Sequence, residues 1–540
     1  MKDISSTGSF IDFTLENYIY VDKTEYIPKL VKLKRVFISR PRRFGKSLTL
    51  DTIATLFESG VEPYFKGTWI YDKWTEHTYP VLRLNFLDLD KYSLDLFKQK
   101  LNSIITAFAQ DIKLKDYKEK VEPEDTIYFL LDELRKEKRQ IVILIDEYDC
   151  QMTANINNET LYKQFQEKIK SFYATIKNKW PIKFLGITGV TRLKDVEIFS
   201  IGSDIRDITN ASAYSQMIGF TRDEIKKYYI DYLKLAASYE NNCTVDNVTE
   251  AQIESLLDRL AKNYDGYCFD EFYKKKVFST WSVNSFFQSI VENKFVFFDE
   301  YWYDNGGLPS ILVNYLKTHE LNIFEYLDKD KFLKVSSDDF KNPTALTTIN
   351  QNVLMCQTGY LTLRSDLNKT STVALGIPNG EIYKALNRLL ANNIFKGNTD
   401  ITDDYGRSLL EVGTADDIIN LFNSALNSVS YDNYPIVSES SGQNMLKLYL
   451  LGAHQKVLSE VHEAKGRADL VVNTDNRRIV FEFKYAKNET EAKSKLLDAV
   501  EQIKTRDYGN IVPNKTELLR IAAVFNADPK VRAFTEFQLV

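Results

Sequence analysis

The sequence is most informative at residues 36–47, which read VFISRPRRFGKS. The first four of these residues are a short apolar run of the kind that forms a buried strand. A turn that contains Gly45 follows, and residues 48–57 then have the apolar spacing of a helix. The stretch therefore predicts a strand, a tight loop and a helix in immediate succession.

This loop has the chemistry of a phosphate-binding turn. Such a turn needs converging backbone N–H groups, one cation for the phosphates and one hydroxyl for a metal ion. Lys46 would reach the β and γ phosphates of a nucleotide, and the Ser47 hydroxyl would bind Mg²⁺. The usual pattern has a glycine where Arg40 stands, although Pro41 can still set a tight loop. The remaining candidate nucleotide contacts are Arg42, Arg43, Gly45 and Leu48.

A second stretch carries acids at the end of a strand. Residues 141–145 are continuously apolar, as in a strand buried on both faces, and Asp146 and Glu147 follow them. An acid at the end of a buried strand is costly unless a ligand requires it. Asp146 would hold Mg²⁺, and Glu147 would accept a proton from the attacking water. The alternative is a strand that ends in a charged turn.

Two further candidates lie at the end of the next apolar run, residues 184–190. The Thr188 hydroxyl could orient the water or contact the γ phosphate of a nucleotide. Arg192 could neutralise developing charge, in its own subunit or in a neighbouring one. Thr and Arg are both common at strand ends, so a role without a nucleotide stays open for each.

The order of these patterns predicts the fold class. Apolar runs at 36–39, 81–86, 141–145 and 184–190 alternate with helical patterns such as 93–112 and 158–177. This alternation predicts an α/β fold, in which helices cover the parallel sheet of a P-loop nucleotide-binding core. Helical patterns then dominate from residue 221 to about residue 430.

The C-terminal hundred residues return to a mixed pattern. It predicts a helix at 444–458, strands at 468–472 and 478–483, a helix at 489–504 and a strand at 518–525. We expect four domains: a P-loop ATPase (1–215), a helical lid or winged-helix-like region (216–305), a mostly helical middle region (306–440) and a smaller α/β domain (441–540).

Bulk composition narrows the function classes. The net charge is −5, so any nucleic-acid binding must use local basic patches rather than a global positive field. The four cysteines and four histidines lack zinc-ligand spacing, which favours neither a zinc site nor disulfides. The first 15 residues do not resemble a signal peptide, and no apolar run is long enough to span a membrane. We expect a cytoplasmic protein without a membrane partner.

The strands predicted near the C-terminus carry a second candidate site. Asp469 opens one strand, and Glu482 and Lys484 share a face of the next because they are two residues apart. A hairpin would place both carboxylates side by side with the lysine near them. Two carboxylates, a hard divalent ion and a cation suit metal-assisted phosphodiester hydrolysis. The alternative is a solvated hairpin face with one cross-strand ion pair.

The N-terminal motifs resemble those of the divergent AAA-ATPase-like family, which is related to the STAND ATPases and is found mostly in bacteria. The resemblance covers residues 10–300 and includes the same degenerate loop with arginine at Arg40. It implies ATP and Mg²⁺ as ligands, and it places Asp22 and Lys23 near the adenine. The matching segments are residues 20–24, 40–47, 146–149, 188–192, 264–267 and 281–282.

Residues 440–530 resemble the PD-(D/E)XK nuclease superfamily, which is often fused behind this ATPase family. The resemblance implies Asp469, Glu482 and Lys484 as the catalytic core, with Mg²⁺ or Mn²⁺ bound by the two acids. It also implies Glu460 as an additional metal-proximal acid and Gln502 as a supporting residue. His454 and His462 precede the site and could join it, although a structural role is the simpler hypothesis.

Together the two patterns predict an ATP-hydrolysing protein joined to a nuclease-like domain that acts on DNA, with RNA as the other nucleic-acid candidate. Defence against foreign DNA, or DNA processing, is the expected setting. The main alternative is an ATP-driven regulatory switch or scaffold whose C-terminal domain binds nucleic acid or protein without cutting. The middle helices are candidates for a protein partner or for self-association.

Overall fold

The computed structural model describes residues 1–177, 179–193, 204–302, 310–316, 319, 323–343, 345–395, 404–453, 455–463, 466–509 and 517–540. The chain divides into two compact units. The first contains residues 1–319 and 330–382, and the second contains residues 320–329 and 383–540. No helix in the described ranges is long and apolar enough to cross a membrane.

The first unit is built on a five-stranded sheet with the order β2-β3-β4-β1-β5. Every neighbouring pair in this sheet is parallel. The carboxyl ends of its strands therefore meet at one edge, where Ser39, Asp146 and Gly189 are the last residues of three neighbouring strands. The strands are β1 (Arg35–Ser39), β2 (Val81–Asn85), β3 (Ile141–Asp146), β4 (Ile182–Gly189) and β5 (Arg206–Asp207).

Helices connect and cover this sheet, and the sequence prediction of a parallel α/β core is confirmed. The helix predicted at 93–112 begins where Ser93 accepts a hydrogen bond from the Leu96 backbone, and the helix predicted at 158–177 begins at Asn158 in the same way. The helices are α1 (Phe10–Leu15), α2 (Ile27–Leu33), α3 (Lys46–Ser59), α4 (Leu94–Asp111), α5 (Pro123–Lys136), α6 (Cys150–Ala154) and α7 (Glu159–Ile176).

A helical region follows the sheet. Thr221 and Glu224 form a reciprocal capping box, which starts the first of its helices at the predicted place. The apolar faces of these helices share one core that includes Leu257, Phe286 and Phe287. The helices are α8 (Arg222–Tyr228), α9 (Ile230–Asn241), α10 (Glu250–Tyr264) and α11 (Thr280–Asn293).

The region predicted to be mostly helical also contains a small sheet that the sequence reading missed. Its strands are antiparallel, with the order β6-β8-β7. Each is five residues long or shorter, which gives little periodicity to detect. The elements are α12 (Ser310–Leu316), β6 (Leu333–Ser336), α13 (Ser337–Lys341), α14 (Gln351–Gln357), β7 (Thr362–Leu363), β8 (Thr372–Gly376) and α15 (Gly380–Ile394).

The second unit contains a mixed five-stranded sheet with the order β13-β12-β11-β10-β9. The pair β11–β12 is parallel, and the other three pairs are antiparallel. The elements are α16 (Asp404–Val412), α17 (Ala415–Asn427), α18 (Glu439–Gly452), β9 (Lys456–Glu463), β10 (Gly466–Asn473), β11 (Arg477–Ala486), α19 (Glu489–Arg506), β12 (Glu517–Asn526) and β13 (Ala533–Leu539).

One predicted boundary in this unit is wrong. The helix expected at 444–458 ends at Gly452, and residues 456–458 begin strand β9 instead. Both β9 and the last strand, β13, lie at edges of the sheet, so their strand state depends on pairing with one neighbour. Leu458 is 50% exposed, and an edge strand of this kind lacks the clear apolar alternation that would identify it.

Candidate active sites

The phosphate-binding loop has the predicted form of a strand, a turn and a helix. Strand β1 ends at Ser39, and helix α3 begins at Lys46. Gly45 caps the helix with a φ of 99°, a conformation that favours glycine. The helix N-terminus therefore presents free backbone N–H groups at the edge of the sheet, as an anion site requires.

Lys46 is held across this loop. Its side chain is buried, and its Nζ donates to the backbone oxygens of Arg40 and Pro41 at 3.1 and 3.2 Å. The same Nζ lies 3.8 Å from the Glu147 carboxylate. The lysine thus connects the loop to the acid at the end of β3.

Two hydroxyls meet on Asp146. The Ser47 Oγ donates to one carboxylate oxygen at 2.6 Å, and the Thr188 Oγ1 donates to the other. The backbone N–H of Glu147 also donates to Asp146, at 2.9 Å. A hydroxyl and a carboxylate in direct contact are the oxygen donors that Mg²⁺ takes beside nucleotide phosphates. The residues present therefore fit the predicted ion.

Glu147 follows Asp146 in the chain, and its side chain is partly buried. Burial raises the pKa of its carboxyl group, the positive charges of Lys46 and Arg42 oppose that shift, and the negative charges of Asp149 and Asp146 add to it. A carboxylate with a raised pKa is a stronger proton acceptor once it is ionised.

Asp149 links the turn after β3 to the end of β4 by hydrogen bonds. It is buried, and it accepts hydrogen bonds from the backbone N–H groups of Val190 and Thr191 and from the Thr191 hydroxyl. The turn after β3 is therefore fixed to the end of β4. This fixation positions Thr188 against Asp146.

Two arginines of the loop, Arg40 and Arg43, are anchored by protein groups. Arg40 is buried, donates to the backbone oxygens of Ser39 and Thr209, and stacks on the Phe269 ring at 4.1 Å. Burial lowers the pKa of Arg40 to about 9. Arg43 stacks on the Trp281 ring at 4.3 Å and donates to the Tyr301 backbone oxygen. Arg40 thus fills the position of the usual glycine with a structural cation.

Arg192 lies apart from the hydroxyls gathered on Asp146. Its Nε pairs with Asp207 on strand β5, and its backbone exchanges hydrogen bonds with the Gln357 side chain. The structure therefore brings Lys46, Ser47, Asp146, Glu147 and Thr188 together, while Arg192 faces a different neighbour. Its proposed action on developing charge stays a prediction.

A cavity adjoins the loop at Gly45, Leu48 and Thr49. Its lining is mainly apolar, which suits the base and ribose of a nucleotide. Lys23 also borders it, with its Nζ paired to Glu224 at 2.6 Å. The sequence reading missed most of these side chains because they come from distant segments. They include Tyr20, Ile27, Leu30, Met217, Ile218 and Trp281.

Asp22 has a structural role in this region. It accepts hydrogen bonds from the backbone N–H groups of Thr24 and Trp69, at 2.9 and 2.6 Å. The carboxylate therefore holds a turn together and is not among the residues that line the cavity beside the loop.

The C-terminal hairpin places the predicted acids together. Leu470 pairs with Phe481, so Asp469 lies opposite Glu482 in the antiparallel register. Directly opposed residues share a face of the sheet. The backbone N–H of Phe483 donates to the Asp469 carboxylate at 2.8 Å, which fixes its orientation.

Glu482 is a deeply buried acid with an incomplete set of hydrogen-bond partners in the described part of the chain. Its side chain is fully buried; one carboxylate oxygen accepts from Lys484 Nζ at 2.6 Å, and the other, Oε2, has no hydrogen-bond partner among the described residues. Burial and the nearby charge of Asp469 raise the pKa of Glu482 to about 7, against the opposing effect of Lys484. A buried oxygen without a partner, next to a second carboxylate, fits a hard divalent cation.

Glu439 is a residue of this site that sequence reasoning missed. It lies at the start of helix α18, and its carboxylate is 3.6 Å from Lys484 Nζ. The predicted domain boundary at residue 440 put Glu439 in the middle region, so nothing placed an acid there beside the hairpin. The helix start at Ser438, whose side chain caps the Ser441 backbone, was the available signal.

The structure describes the side chains of some other predicted members of this site and not those of others. The Gln502 amide donates to the Tyr508 hydroxyl at 3.2 Å. The strand pairing of β9 with β10 puts the Glu460 backbone opposite Asp469, but its side chain and that of His462 lie outside the described part, as does His454. Within the described residues, no group of three or more His, Cys, Asp or Glu could hold a metal ion.

The fold and the two sites define a class: a P-loop nucleotide-binding unit in the same chain as a mixed-sheet domain with a paired-acid hairpin. Residues 5–199 match the family model AAA-ATPase_like, described as "Predicted AAA-ATPase". Residues 438–535 match the model described as "PD-(D/E)XK nuclease superfamily". The chain therefore carries an AAA-ATPase-like domain followed by a PD-(D/E)XK superfamily domain.

Two known proteins complete the comparison. The chain is 25% identical over 533 residues, 95% of its length and 94% of the other's, to an "Uncharacterized protein in vnfD 5'region" of Azotobacter chroococcum mcd 1. A crystal structure of Cdc6p from Pyrobaculum aerophilum matches at 11% identity and a TM-score of 0.22, covering 68% of this chain and 93% of that one. A TM-score this low carries no structural argument.

Proposed function

We propose that this protein hydrolyses ATP at the loop of residues 40–47 and cuts DNA at the hairpin that carries Asp469 and Glu482. The observation that supports the first part is the convergence of Ser47 and Thr188 on Asp146, with Lys46 and Glu147 beside them. The second part is supported by the buried acid pair with Lys484 in contact.

At the N-terminal site each side chain has a defined task. Lys46 binds the β and γ phosphates, while Ser47 and Asp146 hold Mg²⁺, which neutralises phosphate charge when it is bound. Thr188 orients the attacking water. Glu147 accepts the proton of that water, for which its raised pKa is suited.

At the C-terminal site Asp469 and Glu482 hold Mg²⁺ or Mn²⁺, and the ion supplies an activated water and charge stabilisation when it is bound. Lys484 orients the nucleophile or stabilises charge on the phosphate. DNA is the proposed substrate, with RNA as the alternative, and a role in defence or DNA processing follows from it. The four cysteines are free, as in a cytoplasmic protein.

Phosphate release by wild type and by Glu147→Gln tests the ATPase. We expect a loss of about 10²- to 10⁴-fold, because a positioned general base contributes that much. Glu159→Gln removes a highly exposed carboxylate and serves as the matched control. An unchanged rate in Glu147→Gln would remove that residue from the base role.

Plasmid incubation with Mg²⁺ or Mn²⁺ tests the nuclease. Wild type should nick the DNA, Asp469→Ala and Lys484→Ala should not, and Lys493→Ala, an exposed lysine of α19, should behave as wild type. Equal nicking in all four proteins would reject the assignment.

A second candidate function is DNA binding without cleavage, under control of the ATPase. It is favoured by the state of Lys484, whose ammonium group already contacts Glu482 and approaches Glu439. Wild type that binds DNA in an ATP-dependent manner but never nicks it would support this candidate. A pull-down with residues 221–440 would test whether the middle helices bind a protein partner.

A further inference from the structure

Arg506 lies at the end of helix α19 and is fixed at its guanidinium end. Its Nη1 donates to the Tyr508 hydroxyl at 3.0 Å. Tyr508 is fully buried, and the same hydroxyl accepts from the Gln502 amide. Arg506 is otherwise exposed, but its guanidinium is held by the hydroxyl of a buried tyrosine.

The aliphatic part of Arg506 crosses strand β10 at Gly466. A Cβ atom at Gly466 would lie 2.5 Å from the Arg506 Cδ and 3.3 Å from its Cγ. A Cβ atom at Gly466 would therefore force the Arg506 side chain to shift. Tyr508 belongs to an apolar cluster that includes Val480, and Val480 and Glu482 share a face of β11 because they are two residues apart. The anchored guanidinium therefore lies on the side of the sheet that carries Glu482.

The charges agree with this placement. The hydrogen bond to Tyr508 raises the pKa of Arg506, and the negative charges of Glu482 and Asp469 raise it further. Yet Arg506 forms no ion pair with any carboxylate in the described ranges, and its bond to Tyr508 is the only hydrogen bond of its guanidinium there. Among the described residues, the remaining N–H donors of the guanidinium bond to neither acid.

We propose that Arg506 binds a phosphate of the nucleic-acid strand that lies at Asp469 and Glu482, and so positions the phosphodiester for cleavage. The proposal rests on the nuclease function proposed above and adds a substrate-binding residue to it. A guanidinium suits this task because its planar fork can bind two phosphate oxygens at once. Tyr508 holds the fork in place, and Gly466 sets its approach.

DNA affinity tests the proposal separately from cleavage. A short labelled duplex is titrated with full-length protein in Ca²⁺, a hard cation that takes the same oxygen ligands. Arg506→Ala should weaken binding by roughly tenfold, the size of a lost charge-assisted hydrogen bond. It should also lower the slope of log affinity against log salt by about 1. Lys504→Ala removes an exposed charge from the same helical turn and should change affinity by less than about twofold.

Two further variants separate position from charge. Gly466→Ala displaces Arg506 without deleting it and should lower affinity in the same direction. Arg506→Lys keeps the charge but loses the fork, so it should restore the salt slope and leave cleavage in Mn²⁺ slow. Thermal unfolding of each variant shows whether the fold is kept.

The outcomes are distinct. Affinity and salt slope equal to wild type in Arg506→Ala and Gly466→Ala would overturn the inference, whether or not the protein cuts DNA. A fall in thermal stability without a change in affinity would give Arg506 a structural role and would also overturn it. Arg506-dependent DNA binding by a wild-type protein that never cuts would keep the inference and reject the nuclease.

Discussion

The two sites treat a candidate metal-binding carboxylate in opposite ways. Asp146 accepts hydrogen bonds from Ser47, Thr188 and a backbone N–H, so both of its oxygens are occupied. Glu482 is buried more deeply, yet one of its oxygens has no hydrogen-bond partner among the described residues. Both oxygens of Asp146 accept hydrogen bonds from the protein, whereas Glu482 keeps one oxygen without a hydrogen bond from the described residues.

This difference has a physical consequence. Asp146 already accepts three hydrogen bonds from the protein, so its orientation is set before a cation arrives. Burial favours the neutral form of Glu482, whose pKa of about 7 means that a cation must compete with a proton. The C-terminal site should therefore respond to pH and to metal concentration together.

The largest expected effect is on ATP hydrolysis in Asp146→Asn. The change replaces one of the two oxygens that accept from Ser47 and Thr188 with an NH₂ group, and it removes the charge that would hold Mg²⁺. We expect a loss of about a thousandfold, because metal stabilisation of phosphate charge is worth several kcal/mol. Phosphate release measures it, with the exposed Asp125→Asn as control. If Asp146→Asn hydrolyses ATP normally, the ion is held elsewhere.

The next effect concerns pH and metal binding at Glu482. The pKa of this carboxyl group lies above its ordinary 4.5, so the folded protein keeps the proton until about pH 7. Binding of a cation must displace that proton, and affinity for Mn²⁺ should rise about tenfold per pH unit below 7 and level off above it. Titration calorimetry at several pH values measures this rise.

Glu482→Gln has no proton to release and provides the control for that titration. Its metal affinity should be weak, and the one-proton dependence should be absent. Wild-type affinity that stays constant from pH 5.5 to 8 would show that Glu482 is not the titrating ligand.

A smaller effect is expected from Thr188→Val, for which Thr191 provides a matched partner. The Thr188 hydroxyl donates to Asp146, whereas the Thr191 hydroxyl donates to the structural acid Asp149. Thr188→Val should slow ATP hydrolysis by about tenfold, in the range of an outer-sphere contact. Thr191→Val should lower the free energy of unfolding by about 1 kcal/mol and spare the rate.

The two threonines are compared by phosphate release and thermal unfolding. A slow rate in Thr191→Val with normal stability would contradict the division of roles between Asp146 and Asp149.

The smallest effect is expected from Glu439→Gln. Its carboxylate is 39% exposed and 3.6 Å from Lys484, and a pair of this kind contributes little in water. Cleavage should change by less than about threefold. A loss as large as that of Asp469→Ala would instead make Glu439 a metal ligand.

Much of the first site could be predicted because its parts follow one another along the chain. Gly45, Lys46 and Ser47 are consecutive, and Asp146 and Glu147 end a strand that its apolar run makes evident. Parallel strands bring such ends to one edge without further information. The structural use of Arg40 could not be predicted, since Thr209 and Phe269 are far away in sequence.

At the second candidate site the sequence predicted that Asp469, Glu482 and Lys484 lie together, but it did not predict what surrounds them. Strand spacing alone puts Glu482 and Lys484 on one face. The edge strands β9 and β13, and the position of Glu439, depend on which segments pair and pack across long separations. The hydrophobic periodicity along the chain contains no information about those long-range contacts.

The sequence by itself determined the alternating strands and helices of the first sheet, the phosphate-binding turn and the pairing of two acids on one hairpin, because each depends on near neighbours and on side-chain chemistry. Only the tertiary structure decided which acid is satisfied and which is not. Burial and hydrogen-bond donors set the protonation of a carboxylate, and both are supplied by residues that are distant in sequence and adjacent only after folding.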